Sequence, residues 1–235
     1  DLGVQILTST DSGIAEALAL QIDQLNTDRR AEEAVVRASA EQMAEDKLAA
    51  EPDLPVLVLA QRGWHEGVIG IVAGRLKDAY HRPAVVISID EAGYGKGSAR
   101  SVAGSSIGDQ VLAGRQDGLL KTGGGHDMAA GLGLEEGQIA AFEEFVVDRA
   151  RQVFAGVPQR VFSYTHAVSV AGCTSALVDG LEAVGPFGAG HAEPRFVITH
   201  CQLKHVRWIG KDKAHLSVQL DDGTAAPVRA VAFSV

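Results

Sequence analysis

The sequence predicts an α/β domain that follows a long N-terminal helix and precedes a small all-β barrel. Three observations lead there. The stretch from Ile14 to Glu51 contains neither Gly nor Pro, strand-like and helix-like segments alternate from Pro55 to about Phe154, and beyond Val161 the apolar runs are short and strand-like.

Each element follows from local pattern. Leu2–Thr8 reads as a strand already under way, so the chain is expected to be an excised piece of a longer protein. Thr10, Asp11 and Ser12 offer helix caps, and Ile14, Leu18, Ile22 and Leu25 form a helical stripe. Beyond Asn26 that helix turns polar and charged until Pro52 and Pro55 stop it, which suits a bridge between domains. Val56–Ala60 is a short apolar strand, Glu66–Tyr80 a helix, Pro83–Ile89 and Tyr94–Val102 strands, and Ile107–Ala113 a short helix. Leu119–Lys121, a glycine cluster and Leu132–Leu134 come next, and Gln138–Phe154 closes the unit as a helix. Phe162–Val170, Glu193–Trp208, Ala214–Leu220 and Val228–Val235 are strand-like, with a helical insert at Ser175–Val184. Several strands and one helix in so short a span fit a Greek-key barrel of the OB type, with a sandwich as the alternative.

Composition bounds function. A formal net charge of −9 argues against a general polyanion binder, although local basic clusters at Lys96–Arg100, Arg115–Lys121 and Lys204–Lys213 keep nucleic acid in play. No apolar run approaches the ~20 residues that span a bilayer, so no membrane partner is expected. Cys173 and Cys201 lack partners at metal-ligand spacing and read as reduced, partly buried thiols of a cytoplasmic protein. No Asp/His cluster has the density that holds two divalent metals, and no nucleophile sits beside an evident base.

Four motifs could carry chemistry. Gly123-Gly124-Gly125-His126 would let successive backbone N–H groups point into one concavity, a phosphate grip with His126 beside the scissile group; a tight turn with a solvated histidine fits equally. In Gly95–Ser101 the P-loop order is absent, and alternation sends Lys96, Ser98 and Arg100 to one face, either a phosphate-binding surface or an ordinary polar one. Trp64 and His65 pack a strand-to-helix turn, with Glu66 at the helix N-terminus. Lys204, Arg207 and Trp208 have the composition of a base-stacking, backbone-tracking strand, or of a solvated hairpin.

Taken together, Leu25–Arg30, Gly63–Ala73, Gly97–Ser101, Gly123–Leu132, Gly185–Gly188 and Glu193–Phe196 resemble, in order, the C-terminal half of the RecJ single-strand-specific exonucleases. The glycine-His run alone marks the wider DHHA1 domain, shared with phosphodiesterases of short oligonucleotides and cyclic dinucleotides and with alanyl-tRNA synthetases. The resemblance implies the tail of a DHH domain at 1–10, a connecting helix at 11–54, a DHHA1 domain at 55–156 and a nucleic-acid-binding OB domain at 157–235. It implies a 5′-to-3′ exonuclease of DNA repair and recombination whose Mn2+ or Mg2+ ions sit on the DHH domain, outside these residues. Arg100, Ser101 and Gly124–His126 would then hold terminal phosphates and the scissile group. Single-stranded DNA is the expected partner, with a single-strand-binding protein or a helicase as further candidates, and the chain is expected to be a monomer. The alternatives are another DHHA1 phosphodiesterase and a non-catalytic adaptor.

Overall fold

The computed structural model describes residues 2–154, 157–158 and 161–233. Residues 155–156, 159–160 and 234–235, on which the expected domain boundary and the end of the last strand fall, lie outside the described residues. The chain divides into two compact units, Asp1–Arg160 and Val161–Val235.

The first unit opens on helix α1 (Leu2–Thr8), where a strand was expected. Seven residues with apolar side chains at Leu2, Val4, Ile6 and Leu7 satisfy both periodicities, and docking against the next helix decides for α. That helix, α2 (Ser12–Ala50), starts where the Asp11 carboxylate accepts from the N–H groups of Gly13 and Ile14. Its 39 residues span ~58 Å at 1.5 Å per residue. Only Val36, Ala40 and Ala44, one stripe of its C-terminal half, are buried.

β1 (Leu57–Arg62), α3 (Ile69–Tyr80) and β2 (Ala84–Ile89) form a βαβ unit with β1 and β2 parallel. All six residues of β2 are buried, which explains its apolar run, interrupted only by Ser88, whose hydroxyl donates to the Trp64 carbonyl. β3 (Tyr94–Arg100) pairs antiparallel with β2, and helix α4 (Ile107–Gln116), β4 (Thr122–His126) and β5 (Ala129–Glu135) follow. The sheet order is β1-β2-β3-β5-β4, so the glycine-rich strand lies on an edge. Helix α5 (Ile139–Val153) buries Phe142, Val146, Val147 and Ala150 against the core. α3 packs on β2 and β3, whereas α4 packs on β4 and β5.

The second unit holds β6 (His166–Ala167), helix α6 (Ser175–Ala183), β7 (Phe196–Val197), β8 (Gln202–Ile209), β9 (His215–Asp221) and β10 (Val228–Phe233). β6 and β7 pair in parallel, and β8, β9 and β10 make an antiparallel sheet with β9 central. The long strands expected at Phe162–Val170 and Glu193–Trp208 shrink to short pieces, the second broken at His200, whose φ is 55°. Among the described residues the sheets are OB-like without closing into a barrel. Asp222 fastens β9 to the buried Val170 by accepting from its N–H at 2.7 Å.

Candidate nucleic-acid interface

Register places the first unit's candidate residues on one face of its sheet. Ser98 lies opposite Gly131, which lies opposite Gly124; Arg100 lies opposite Ala129, which lies opposite His126. Antiparallel partners share a face, so Lys96, Ser98, Arg100, Gly124 and His126 all project to the same side. Arg100 and His126 stand two strand spacings apart, roughly 10 Å, with Ala129 between them and the backbone of Gly131 and Gly124 in the neighbouring row beside Ser98.

That backbone is a floor. A Cβ added to Gly124 or to Gly131 would meet nothing within 4 Å, so a ligand can approach the main chain there. Tyr94 crosses above Gly133 toward Thr122, its hydroxyl 3.4 Å from the Thr122 hydroxyl, and closes one end of the trough. The first turn of α3 closes a side: a Cβ on Gly70 would lie 3.1 Å from Ser98 Oγ and 3.2 Å from Arg100 Nη2. Arg100 is pre-set by donating from Nη1 to Ser98 Oγ at 3.1 Å and to the Ala99 carbonyl at 2.9 Å.

The glycine run departs from the expected concavity. It is an edge strand, in which successive N–H groups point to opposite sides, and the three glycines divide their roles by face. Gly123 and Gly125 face α4 and β5. A Cβ on Gly123 would come within 2.6 Å of Val111 Cγ1, and one on Gly125 within 2.4 Å of the Ala129 carbonyl oxygen. Gly124 alone opens onto the trough.

Two further expectations need correction. Ser101 is fully buried, its hydroxyl donating to the Ser105 carbonyl at 2.7 Å and its N–H to the Met128 carbonyl at 3.0 Å, so it braces the hairpin instead of touching the trough. Glu66 does not cap α3, which starts at Ile69; it binds Lys96 Nζ at 2.8 Å and raises the lysine pKa through that hydrogen bond. Trp64 is buried at the strand-to-helix turn, and of the two free thiols Cys173 is exposed and Cys201 half-buried. Sequence reading missed Tyr94, Thr122 and Gly131 as walls and floor, because only the β3–β5–β4 pairing sets Gly131 beside Ser98 and Thr122 within reach of Tyr94.

In the second unit, Lys204 and Arg207 face one side of the sheet and Trp208 the other, since Lys204 pairs with Gln219, Arg207 with Ser217 and Trp208 with Leu216. A bulge at His205 and Val206, with His205 at φ 50°, sets this arrangement. Trp208 instead joins Leu203, Leu216, Val218, Leu220, Val228 and Ala230 on an apolar face.

Comparison with known proteins bears on this geometry. The DHHA1 domain model matches residues 53–153, and the RecJ OB domain model matches residues 166–235. The chain thus resembles the C-terminal part of RecJ proteins. It is 31% identical over its whole length to the single-stranded-DNA-specific exonuclease RecJ of Haemophilus influenzae and 33% identical over 94% of its length to that of Bacillus subtilis. It spans 41% and 28%, respectively, of the length of those RecJ relatives. The Thermus thermophilus RecJ crystal structure with Mn2+ superposes on all of it with a TM-score of 0.78 at 30% identity, the chain covering 33% of that protein. A second RecJ crystal structure from that organism is in complex with Mg2+. Among the described residues no group of three or more His, Cys, Asp or Glu is placed to hold a metal ion.

Proposed function

We propose that this chain is the substrate-positioning part of a RecJ-type exonuclease that hydrolyses single-stranded DNA from its 5′ end, in repair and recombination. The observation that carries the reading is the open floor of Gly131 and Gly124 beside Ser98, with Arg100 and His126 in the neighbouring row of the same face. A terminal phosphate lying on that floor would accept from the Arg100 guanidinium in a bidentate fork, with the Ser98 hydroxyl alongside. His126, at the far edge, would hydrogen-bond a non-bridging oxygen of the next phosphate, the scissile group. The metal ions that assist attack of water belong, on this reading, to a DHH domain outside these residues, and no step of hydrolysis is assigned to the trough itself. Residues 11–54 then connect that domain to the DHHA1 domain (55–156), and the OB domain (157–235) guides the strand. The protein acts in the cytoplasm as a monomer, with a single-strand-binding protein or a helicase delivering substrate.

Binding of 5′-phosphorylated and 5′-hydroxyl oligothymidylate by the 235-residue chain tests the reading, with nuclease activity assayed in parallel with Mn2+. The phosphorylated strand is expected to bind more tightly and to stay intact. Equal affinity for both ends would remove the trough from 5′-end recognition, and metal-dependent cleavage by this chain would refute the division of labour.

A further inference from the structure

A groove of about 1040 Å³ lies in the first unit between the middle of α2 and the turn that joins β1 to α3. None of Ser98, Arg100, Gly124 or His126 lines it. Its apolar side is made by the buried Val36, Trp64 and Ile89, and Val35 stands on the lip 71% exposed. Glu32, Asp90 and Glu91, all exposed, edge it with negative charge. An exposed apolar strip with a charged rim is the mark of an interaction surface.

We propose that this groove binds an extended, basic segment of a partner protein. Lysine or arginine side chains of that segment meet Glu32, Asp90 and Glu91, and one of its carbonyls accepts from the Trp64 indole N–H. The inference does not rest on the trough or on what the trough holds.

Charge selects a basic occupant. The cations beside the groove are engaged elsewhere, Arg62 with Glu136 and Lys96 with Glu66. Glu32 lies 3.5 Å from His65 Nδ1, but that nitrogen accepts from the Gly67 N–H at 3.1 Å and so has no proton to give it. Asp90 accepts from the backbone N–H of Tyr94 at 2.8 Å, which brings it no opposite charge, and Glu91 has no partner among the described residues. The net charge of −9 draws a cationic segment from a distance, and the same carboxylates repel nucleic acid. Hydrogen-bonding groups select a polypeptide over a small cation. Trp64 is 5% exposed, its carbonyl accepts from the Ser88 hydroxyl, and its Nε1 is shielded from solvent with no acceptor among the described residues. A carbonyl of the occupant reaches Nε1 once exposed rim side chains turn aside, as side chains at interfaces commonly do. β1 is also an edge strand, and its exposed end at Gln61 and Arg62 offers backbone groups with no strand on their outer side among the described residues.

Anisotropy of a fluorescein-labelled Lys-Val-Arg-Val-Lys-Val peptide with the 235-residue chain tests the proposal, since alternation gives an extended peptide one basic and one apolar face. The peptide is expected to bind and to weaken with salt, and a Glu-Val-Glu-Val-Glu-Val counterpart to stay free. Glu32→Lys/Glu91→Lys, at two exposed positions, is expected to weaken binding by about tenfold and to flatten the salt dependence. Glu16→Lys/Glu144→Lys makes the same change in net charge at exposed positions of α2 and α5 outside the groove and is expected to bind like the parent. Trp64→Phe keeps a ring in the turn without the N–H and is expected to lose about fivefold at an unchanged salt dependence. Val35→Ser, on the exposed lip, is expected to lose about threefold and serves if Trp64→Phe melts early. A parent that leaves the peptide free overturns the proposal. So does a Glu16/Glu144 variant that binds as weakly as the Glu32/Glu91 variant, because general charge attraction then explains the binding. Spermine displacing the peptide at equal concentration overturns a polypeptide occupant in favour of a small cation. Self-association of the parent in sedimentation, abolished by Glu32→Lys/Glu91→Lys, overturns it in favour of a second copy of this chain.

Discussion

Replacing the glycines of β4 one at a time separates folding from binding. At Gly125 the new Cβ would sit 2.4 Å from the Ala129 carbonyl oxygen and 2.5 Å from Ala130 Cα. Both neighbours are backbone of the paired strand, which cannot swing aside, so Gly125→Ala must part β4 from β5. Overpacking of that kind costs about 1–3 kcal/mol, and at backbone contacts the upper figure is expected. Gly123→Ala meets Val111 Cγ1 at 2.6 Å, the tip of a side chain that can shift, and the lower figure applies. At Gly124 nothing lies within 4 Å, so Gly124→Ala removes unfolded-state freedom at no steric cost and stabilises by about 0.4–1 kcal/mol. For a domain of this size that is a rise of roughly 1–4 °C in melting temperature. Gly124→Val keeps the fold but fills the floor, and 5′-phosphate discrimination should disappear. Calorimetry and anisotropy on the three variants decide. A Gly124→Val protein that still discriminates, or a Gly125→Ala protein as stable as its parent, would refute the assignment of roles by face.

Three other outcomes are expected. Arg100→Ala should weaken binding of every sequence alike, more for 5′-phosphorylated strands, and lower the salt slope by about 0.7; stopped-flow or anisotropy titration against salt reads it. Phe142 of α5, fully buried beside Gly114 of α4, should cost about 3–5 kcal/mol on truncation to Ala, measured by denaturant unfolding of the first unit. The second unit should lose stability in acid. The Asp222 carboxyl is held below its usual range by the Thr224 hydroxyl and then the Val170 N–H, and Asp221 by Lys204 and then the Gly223 N–H. Depressed folded values mean stability that is full above about pH 4 and is lost as pH falls through the folded pKa. Asp222→Asn should flatten that decline, followed by Trp208 emission in a Trp64→Phe background.

What the residues determined by themselves is local and periodic. An uninterrupted, Asp11-capped run made α2, the apolar run Val85–Ile87 made a doubly buried strand, and alternation put Lys96, Ser98 and Arg100 on one face. Ordered motifs were enough to carry the RecJ resemblance. The short Leu2–Thr8 segment could not be settled locally, because seven residues fit both periods and docking on α2 chose. Pairing is non-local, so only the tertiary structure could set Gly131 beside Ser98 and His126 in the row of Arg100, or show that Gly124 faces open space while its neighbours pack on α4 and β5. The second unit shows the reason most plainly. Strict alternation along β8 would set Lys204 with Trp208 and apart from Arg207; the bulge at His205 and Val206 adds one residue and reverses every side chain after it. A single left-handed backbone angle, invisible in composition, thus decided which face carries the positive charge.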